Sequence, residues 1–146
     1  MTDETNSSIP IQKMAWKPSY SVGYASMDRQ HQLLFDIING LIASQNEPLS
    51  KNELTKIFNE LRTYTDAHFQ AEEKLMELNS YPGLDEHRRA HGQYYDSINV
   101  IEERMHQGVA RVDLELLDFL NSWWIHHVQD LDQGYARRPA EASSST

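Results

Sequence analysis

The chain has 146 residues, 39% of them hydrophobic and 24% charged, which is the composition of one ordinary soluble domain with a core of its own. Its formal net charge of -9 argues against nucleic acid or an anionic membrane surface as a partner. The absence of cysteine excludes disulfides, iron–sulfur clusters and thiolate zinc sites, so a metal would have to be bound through Asp, Glu and the seven His.

The two ends of the chain are more polar than its middle. Residues 1–9 begin with the acidic stretch MTDETNSS, which is no signal peptide, and residues 137–146 end in AEASSST. We expect both ends to be disordered and residues 10–136 to form a single domain. No apolar run approaches the roughly 20 residues of a membrane span, so we expect no membrane insertion and a cytoplasmic location.

Residues 10–26, PIQKMAWKPSYSVGYAS, are predicted to form an extended arm that precedes the first helix. That helix should begin near Met27, with Ser26 as its N-cap, and fade before Pro48. Its apolar positions recur at i, i+3 and i+4, the spacing of one helix face. The aromatic anchors of the arm are Trp16, Tyr20 and Tyr24, and the helix stripe comprises Met27, His31, Leu34, Phe35, Ile38 and Leu41.

Three more helices follow with short connections. The second opens on the capping box Ser50-x-x-Glu53 and should end at NSYPG, the third should end with Gly108 as its cap, and the fourth should begin near Asp113. Short connections make successive helices antiparallel, so we predict an all-α, up-down-up-down antiparallel four-helix bundle with an extended N-terminal arm. The apolar stripe predicted for the second helix is Leu54, Ile57, Leu61, Tyr64, His68, Glu72 and Leu75.

Polar side chains share the core-facing stripes at one end of this bundle. A single histidine on an apolar face is usually a hydrogen-bonded core residue, and a His/Glu pair at i, i+4 is usually a solvated pair. Here, however, an up-down-up-down arrangement brings seven such residues to the same level, where hydrogen bonds alone would satisfy them only at high cost. They are His31, His68, Glu72, His87, His91, His127 and Asp132.

A metal centre is therefore predicted, and seven donors suit two ions better than one. Glu72 and Asp132 are the natural bridges because a carboxylate has two oxygens, and the mixture of imidazole and carboxylate suits iron, manganese or zinc. On the fourth helix, His127 and Asp132 would lie about 140° apart and flank the apolar stripe, both able to reach inward. His126 and its i+4 neighbour Asp130 should point away from the core.

The segments that carry these residues resemble the successive signatures of the hemerythrin family in its bacterial single-domain form. They are SVGYASMDRQH, HFQAEEKLM, the H-x-x-x-H of residues 87–91 and WWIHHVQDLDQGY, and the resemblance extends from Trp16 to Tyr135. The chain departs from the family pattern at Trp124, where Leu or Ile is more usual, and at His126, where a polar non-ligand is usual.

The resemblance implies a non-haem di-iron centre, with two iron ions (Fe2+/Fe3+) and an oxo or hydroxo bridge, that takes O2 as a reversible ligand. It implies that His87, His91 and His127 hold one iron, that His31 and His68 hold the other with one position open for O2, and that Glu72 and Asp132 bridge the pair. The pocket beside the open position is predicted to be lined by Leu75, Trp124 and Ile38, although plain core packing explains Ile38 equally well.

Reversible oxygen binding, in a carrier or storage protein rather than an enzyme, is the leading functional hypothesis. A His-rich shell favours binding over the O2 activation that carboxylate-rich ferritin-like sites perform. The alternatives are an O2 or redox sensor, a di-iron oxidase or peroxidase, and iron storage or nitric oxide scavenging at the same centre. We expect a monomer, and the sequence leaves the identity of any protein partner open.

Overall fold

The computed structural model describes residues 10–137, and every regular element within that range is helical. The predicted all-α four-helix bundle is confirmed: the helices pack in the neighbouring pairs α1–α4, α2–α3 and α3–α4. No helix of this range is both long and apolar enough to cross a membrane. The helices are α1 (Ala25–Ala43), α2 (Lys51–Leu78), α3 (Leu84–His106) and α4 (Val112–His126).

Shorter helical turns flank the bundle. A 3-10 turn, Pro18–Tyr20, lies in the N-terminal arm, and α4 continues directly into a π-helical turn, His127–Leu131, and a 3-10 turn, Asp132–Tyr135. The disorder predicted for residues 1–9 and 138–146 concerns segments outside the described range. At residue 137, where the predicted tail begins, the backbone N–H donates to the carbonyl oxygen of Val22 at 2.6 Å.

The start of α1 differs from the prediction. The helix begins at Ala25 with Tyr24 as N-cap, so Ser26 lies inside the first turn and the prediction that it caps the helix was wrong. The cause is Asp28, whose carboxylate accepts hydrogen bonds from the Ser21 hydroxyl (2.5 Å) and the Val22 N–H (2.8 Å). These bonds fix the arm against the positive end of the helix dipole, so the first turn forms without a side-chain cap.

The ends of α2 and α3 follow the sequence signals. The Ser50 hydroxyl accepts from the Glu53 N–H and the Glu53 carboxylate accepts from the Ser50 N–H, both at 3.1 Å, which confirms the capping box. Gly108 has φ +80°, and its N–H donates to Met105 while that of Val109 donates to Arg104, as in a Schellman cap.

The inward face of α2 is rotated from the predicted stripe. Ile57, Tyr64 and Leu75 are only half-buried, and a row one residue further along the chain fills the core instead. Spacings of three and four residues are compatible with either row, so the sequence pattern alone did not fix the rotation of this long helix. The residues of that second row are Phe58, Thr65, Phe69 and Met76, all buried.

The N-terminal arm is bound through its backbone to α1 and to the turn that follows this helix. The Asn39 side chain accepts from the Met14 N–H at 2.6 Å and donates to the Met14 carbonyl at 2.8 Å, and Gln45 makes the same pair of bonds with Ile11 at 2.8 Å each. The predicted anchors also pack as expected: the ring centroids of Trp16 and Tyr20 are 5.6 Å apart. The arm is thereby held along the bundle rather than free in solvent.

Candidate metal centre

All seven residues predicted to bind metal lie in one buried cluster at the end of the bundle. None of them is more than 5% exposed. The donor atoms form two groups, and within each group all of them lie within 4.8 Å of one another. One group comprises Glu72, His87, His91 and His127, and the other comprises His31, His68 and Glu72. The two groups share Glu72, so the geometry suits two neighbouring ions rather than one.

The carboxylate of Glu72 faces a different set of imidazoles with each oxygen. Oε1 lies 2.9 Å from Nε2 of His87, 3.0 Å from that of His91 and 3.7 Å from that of His127. Oε2 lies 3.3 Å from Nε2 of His31 and 3.6 Å from that of His68. A carboxylate that bridges two ions needs its oxygens directed in this way.

Asp132 repeats the arrangement on the opposite side. Its Oδ1 lies 2.9 Å from Nε2 of His87 and 3.0 Å from that of His127, whereas its Oδ2 lies 3.1 Å from Nε2 of His31. Each carboxylate therefore contacts imidazoles of both sets, Glu72 all five and Asp132 three of them.

The π-helical turn is what aligns His127 with Asp132. In a continuous α-helix the two residues would lie about 140° apart, and the prediction that they flank the stripe on opposite sides assumed that geometry. In the structure the Asp132 N–H donates to the His127 carbonyl, an i to i+5 bond, and this wider turn brings residues five apart onto one face. The flanking geometry was therefore wrong, although both side chains do reach inward.

His126 lies outside the cluster, as predicted. Its side chain is 69% exposed, and its Nδ1 is 3.7 Å from a carboxylate oxygen of the exposed Asp130. The adjacent histidines 126 and 127 thus divide cleanly into one surface residue and one buried donor.

Several donor atoms in the cluster lack the hydrogen bonds that burial normally requires. Asp132 has both oxygens buried, yet no hydrogen bond with acceptable angles reaches either of them, and Nε2 of His68 is likewise unbonded. Glu72, in contrast, has hydrogen-bond geometry with Nε2 of three of the imidazoles. Buried imidazole and carboxylate atoms left without hydrogen bonds fit a bound metal better than a complete hydrogen-bonded network.

Two of the imidazoles are oriented by partners on their outer side. Nδ1 of His68 donates to the Gln30 side-chain oxygen at 2.7 Å, and Nδ1 of His91 donates to the Glu73 carboxylate at 2.7 Å. Arg88 in turn donates to Glu73 at 3.2 Å. With the proton held on Nδ1, the lone pair of Nε2 faces the cluster, which is the tautomer that a metal ligand needs.

Tyr135 belongs to the cluster although the sequence analysis did not select it. Its phenol donates to Oε2 of Glu72 at 2.7 Å, and the residue is 8% exposed. The 3-10 turn that begins at Asp132 carries Tyr135 back to the cluster three residues later. The available signal was an aromatic residue close after the last predicted donor, but its direction depends on a turn type that the sequence did not reveal.

In the polypeptide without metal, the protonation of each imidazole and carboxylate in the cluster depends on the groups around it. Burial opposes a charge on His31 and His87, but the close contacts and negative charge of Asp132 and Glu72 outweigh it and raise their pKa values to about 10 and about 9. Burial prevails at His68, whose pKa falls to about 4. Burial also disfavours ionisation of the two carboxylates, yet the imidazoles around them lower both pKa values. Metal binding at this cluster must therefore displace protons from imidazole.

The residues predicted to line an oxygen pocket lie in different surroundings. Ile38 and Trp124 are fully buried, and the Trp124 ring is 5.8 Å from that of His68. Leu75 is half-buried and packs on the small cluster of Val22, Met76 and neighbours. Their contact with a gas ligand stays a prediction.

Comparison with known proteins agrees with this cluster. The family model described as Hemerythrin HHE cation binding domain matches residues 22–138, and the chain belongs to the hemerythrin family. A Bacteriohemerythrin of Stenotrophomonas maltophilia is 28% identical over 84% of this chain and 79% of its own length. A Myohemerythrin of Riftia pachyptila is 26% identical over 82% of this chain and 88% of its own length. Hemerythrin subunit 1 of Golfingia vulgaris is 28% identical over the same shares of the two chains. The family and the His/Glu cluster together identify a metal-binding protein.

Proposed function

We propose that this protein binds O2 reversibly at a non-haem di-iron centre and serves as an oxygen carrier or store rather than an enzyme. The observation that carries the proposal is the division of five buried imidazoles between the two oxygens of Glu72. The hemerythrin names of its relatives support iron over the other metals that such donors accept.

In the proposed arrangement His87, His91 and His127 would hold one iron, His31 and His68 would hold the other, and Glu72 and Asp132 would be shared by both. The unequal number of imidazoles would leave the second ion with fewer protein ligands, so an external ligand would fit there. Two ferrous ions, when bound, would supply the electrons for O2 binding. Gln30 and Glu73 hold two of the imidazoles in the tautomer that presents Nε2 to the centre.

Aromatic rings stacked on two of the imidazoles fix the orientation of those imidazoles. Phe69 is stacked on His91 with centroids 3.7 Å apart and planes at 7°, and Trp123 is stacked on His127 at 4.3 Å and 13°. An imidazole confined in this way keeps its orientation when the ligands of its metal change. A buried shell with more imidazoles than carboxylates favours reversible binding of O2 over its further reaction.

Visible spectroscopy tests the oxygen-binding proposal. The iron-loaded, anaerobically reduced protein should be nearly colourless, gain visible absorption in air, and lose it again when O2 is removed. Repeated cycles should leave the iron content unchanged at two ions per chain. Colour that never reverses, or bleaching that consumes an added substrate, would support an oxidase and contradict the carrier proposal.

Two histidine variants test the ligand assignment. His87→Ala should lose iron, because it removes a fully buried donor between both carboxylates, whereas His126→Ala should keep both ions, because its imidazole lies at the surface. Iron content and the visible spectrum provide the measurement. Full iron retention by His87→Ala would overturn the assignment.

A further inference from the structure

Trp123 connects the candidate metal centre to the surface. Its indole is stacked on His127, with ring centroids 4.3 Å apart, and is itself half-buried. Other aromatic rings of residues 10–137 that contact the ligand imidazoles are buried. The indole also lines an open surface cleft of about 580 Å³ together with Phe119, His126 and His127. Trp123 therefore touches both a proposed ligand and solvent.

The interior aromatic residues on the same side converge on this ring. Trp124 lies 5.8 Å from His68, a proposed ligand of the other ion, and 4.9 Å from Trp123. Tyr94 lies 4.7 Å from Trp123 and 5.6 Å from Trp124. Both halves of the centre are thus linked to Trp123 through rings in van der Waals contact, and electron transfer is fastest across such contacts.

The usual sulfur sites of oxidation are not accessible near this centre. The chain has no cysteine, and the methionines of the described range, Met14, Met27, Met76 and Met105, are at most 6% exposed. After sulfur, the indole of tryptophan and the phenol of tyrosine are the side chains that lose an electron most readily. An oxidising equivalent formed at the centre would therefore leave through an aromatic ring.

We propose that Trp123 is the exit for oxidising equivalents from the candidate di-iron centre, protecting the ligand histidines when peroxide reacts there; this inference rests on the proposed function. Conversion of hydrogen peroxide to two molecules of water needs two electrons and two protons, and without another donor the electrons would come from ferric iron or from its ligands. Trp123 supplies one electron through His127 in each of two turns, and each time its indole proton passes to water in the cleft. Water supplies two protons to the reduced peroxide, and a small reductant of the ascorbate class gives one electron and one proton to the indole radical after each turn.

Burial and hydrogen bonding favour Trp123 over the other candidates. The Trp124 indole and the Tyr94 phenol are at most 1% exposed, so neither ring has contact with a reductant in solution or with water that could take its proton. Tyr135 does bond to Glu72, but that carboxylate already faces imidazoles on both oxygens and is a poor proton acceptor. Only a ring at the surface can be repaired from solution.

Peptide mass spectrometry after limited peroxide treatment tests the proposal, with Trp16 as the internal control. Trp16 is also half-buried, but it packs on Tyr20 and Phe35, away from the ligand histidines. In the iron-loaded ferric protein without reductant, dissolved O2 should trap the indole radical as oxygenated tryptophan, several-fold more at Trp123 than at Trp16. Iron removal should abolish the difference, and ascorbate should suppress the Trp123 product.

Variants separate the electron route from simple packing. Trp123→Phe keeps an aromatic ring against His127 but resists oxidation, so it should lose iron and oxidise His127 in fewer peroxide additions than the wild type. Trp123→Tyr, which is oxidisable, should recover much of that protection. Equal oxidation of Trp123 and Trp16, or preferential oxidation of Trp124, Tyr94 or Tyr135, would overturn the proposal. A protein without two irons or reversible colour would instead refute the proposed function.

Discussion

Tyr135→Phe isolates one hydrogen bond to the shared carboxylate. The substitution removes the phenol that donates to Glu72 at 2.7 Å and keeps the ring that packs at this end of the bundle. A buried hydrogen bond to a charged acceptor contributes about 1.5–3 kcal/mol. The same oxygen keeps His31 at 3.3 Å, so we expect the lower part of that range, about 2 kcal/mol of unfolding free energy. At about 2–4 °C per kcal/mol for a chain of this size, Tm should fall by about 4–8 °C.

Urea unfolding followed by circular dichroism measures this change, with wild type and variant compared at equal iron content. Tyr20→Phe is the matched control, because Tyr20 is also buried, at 3% exposed, but its hydroxyl makes no hydrogen bond with a described residue. The control should change stability by much less than Tyr135→Phe. Equal effects of the two substitutions would mean that the bond to Glu72 contributes nothing beyond ring packing.

Three further predictions concern protonation, capping and ligand orientation. Because the folded pKa values of His31 and His87, about 10 and about 9, exceed the ordinary 6.5, the stability they contribute is complete below pH 6.5 and is lost as pH rises through 9 to 10. Metal-stripped protein should therefore unfold at lower urea as pH rises over this range, and a flat profile would contradict the charge coupling. Ser50→Ala should cost about 1 kcal/mol in the same assay, because the capping box is lost. Glu73→Gln should weaken iron binding by roughly 10–100-fold in a chelator competition, whereas Glu77→Gln, which removes only an exposed partner of the same arginine, should not.

The architecture was largely predictable because its signals are local. The capping box at Ser50 and the glycine cap at Gly108 each act within one turn, so the four residues of a cap determine a helix end wherever the rest of the chain lies. The start of α1 was predicted wrongly because the contacts that stabilise its first turn are not local in this sense. Asp28 fixes the arm through Ser21 and Val22, and that contact exists only once the arm has folded back.

The seven donors of the cluster could be selected from helical periodicity, but the geometry that unites them could not. Histidines and carboxylates at core positions, at matching depths, indicate which residues can meet. How His127 and Asp132 share a face depends on the π-helical turn, which costs the chain regular hydrogen bonding and has no sequence signature of its own. Tyr135 was missed for the same reason, since its position follows from the turn after Asp132.

The location of the cluster explains how the fold tolerates it. The main hydrophobic core gathers residues from the arm and all four helices, including Phe58, Ile98, Leu116 and Leu120, and supplies most of the apolar burial. The metal-side end has a far smaller apolar cluster, centred on Val22, Met27, Met76 and Tyr135. Buried imidazoles and carboxylates destabilise a fold unless a partner compensates them. Confining them to one end leaves folding to the larger core and makes the stability of this end depend on protons or metal. The bundle can therefore hold buried donor atoms that have no hydrogen-bond partner of their own, such as Nε2 of His68 and both oxygens of Asp132.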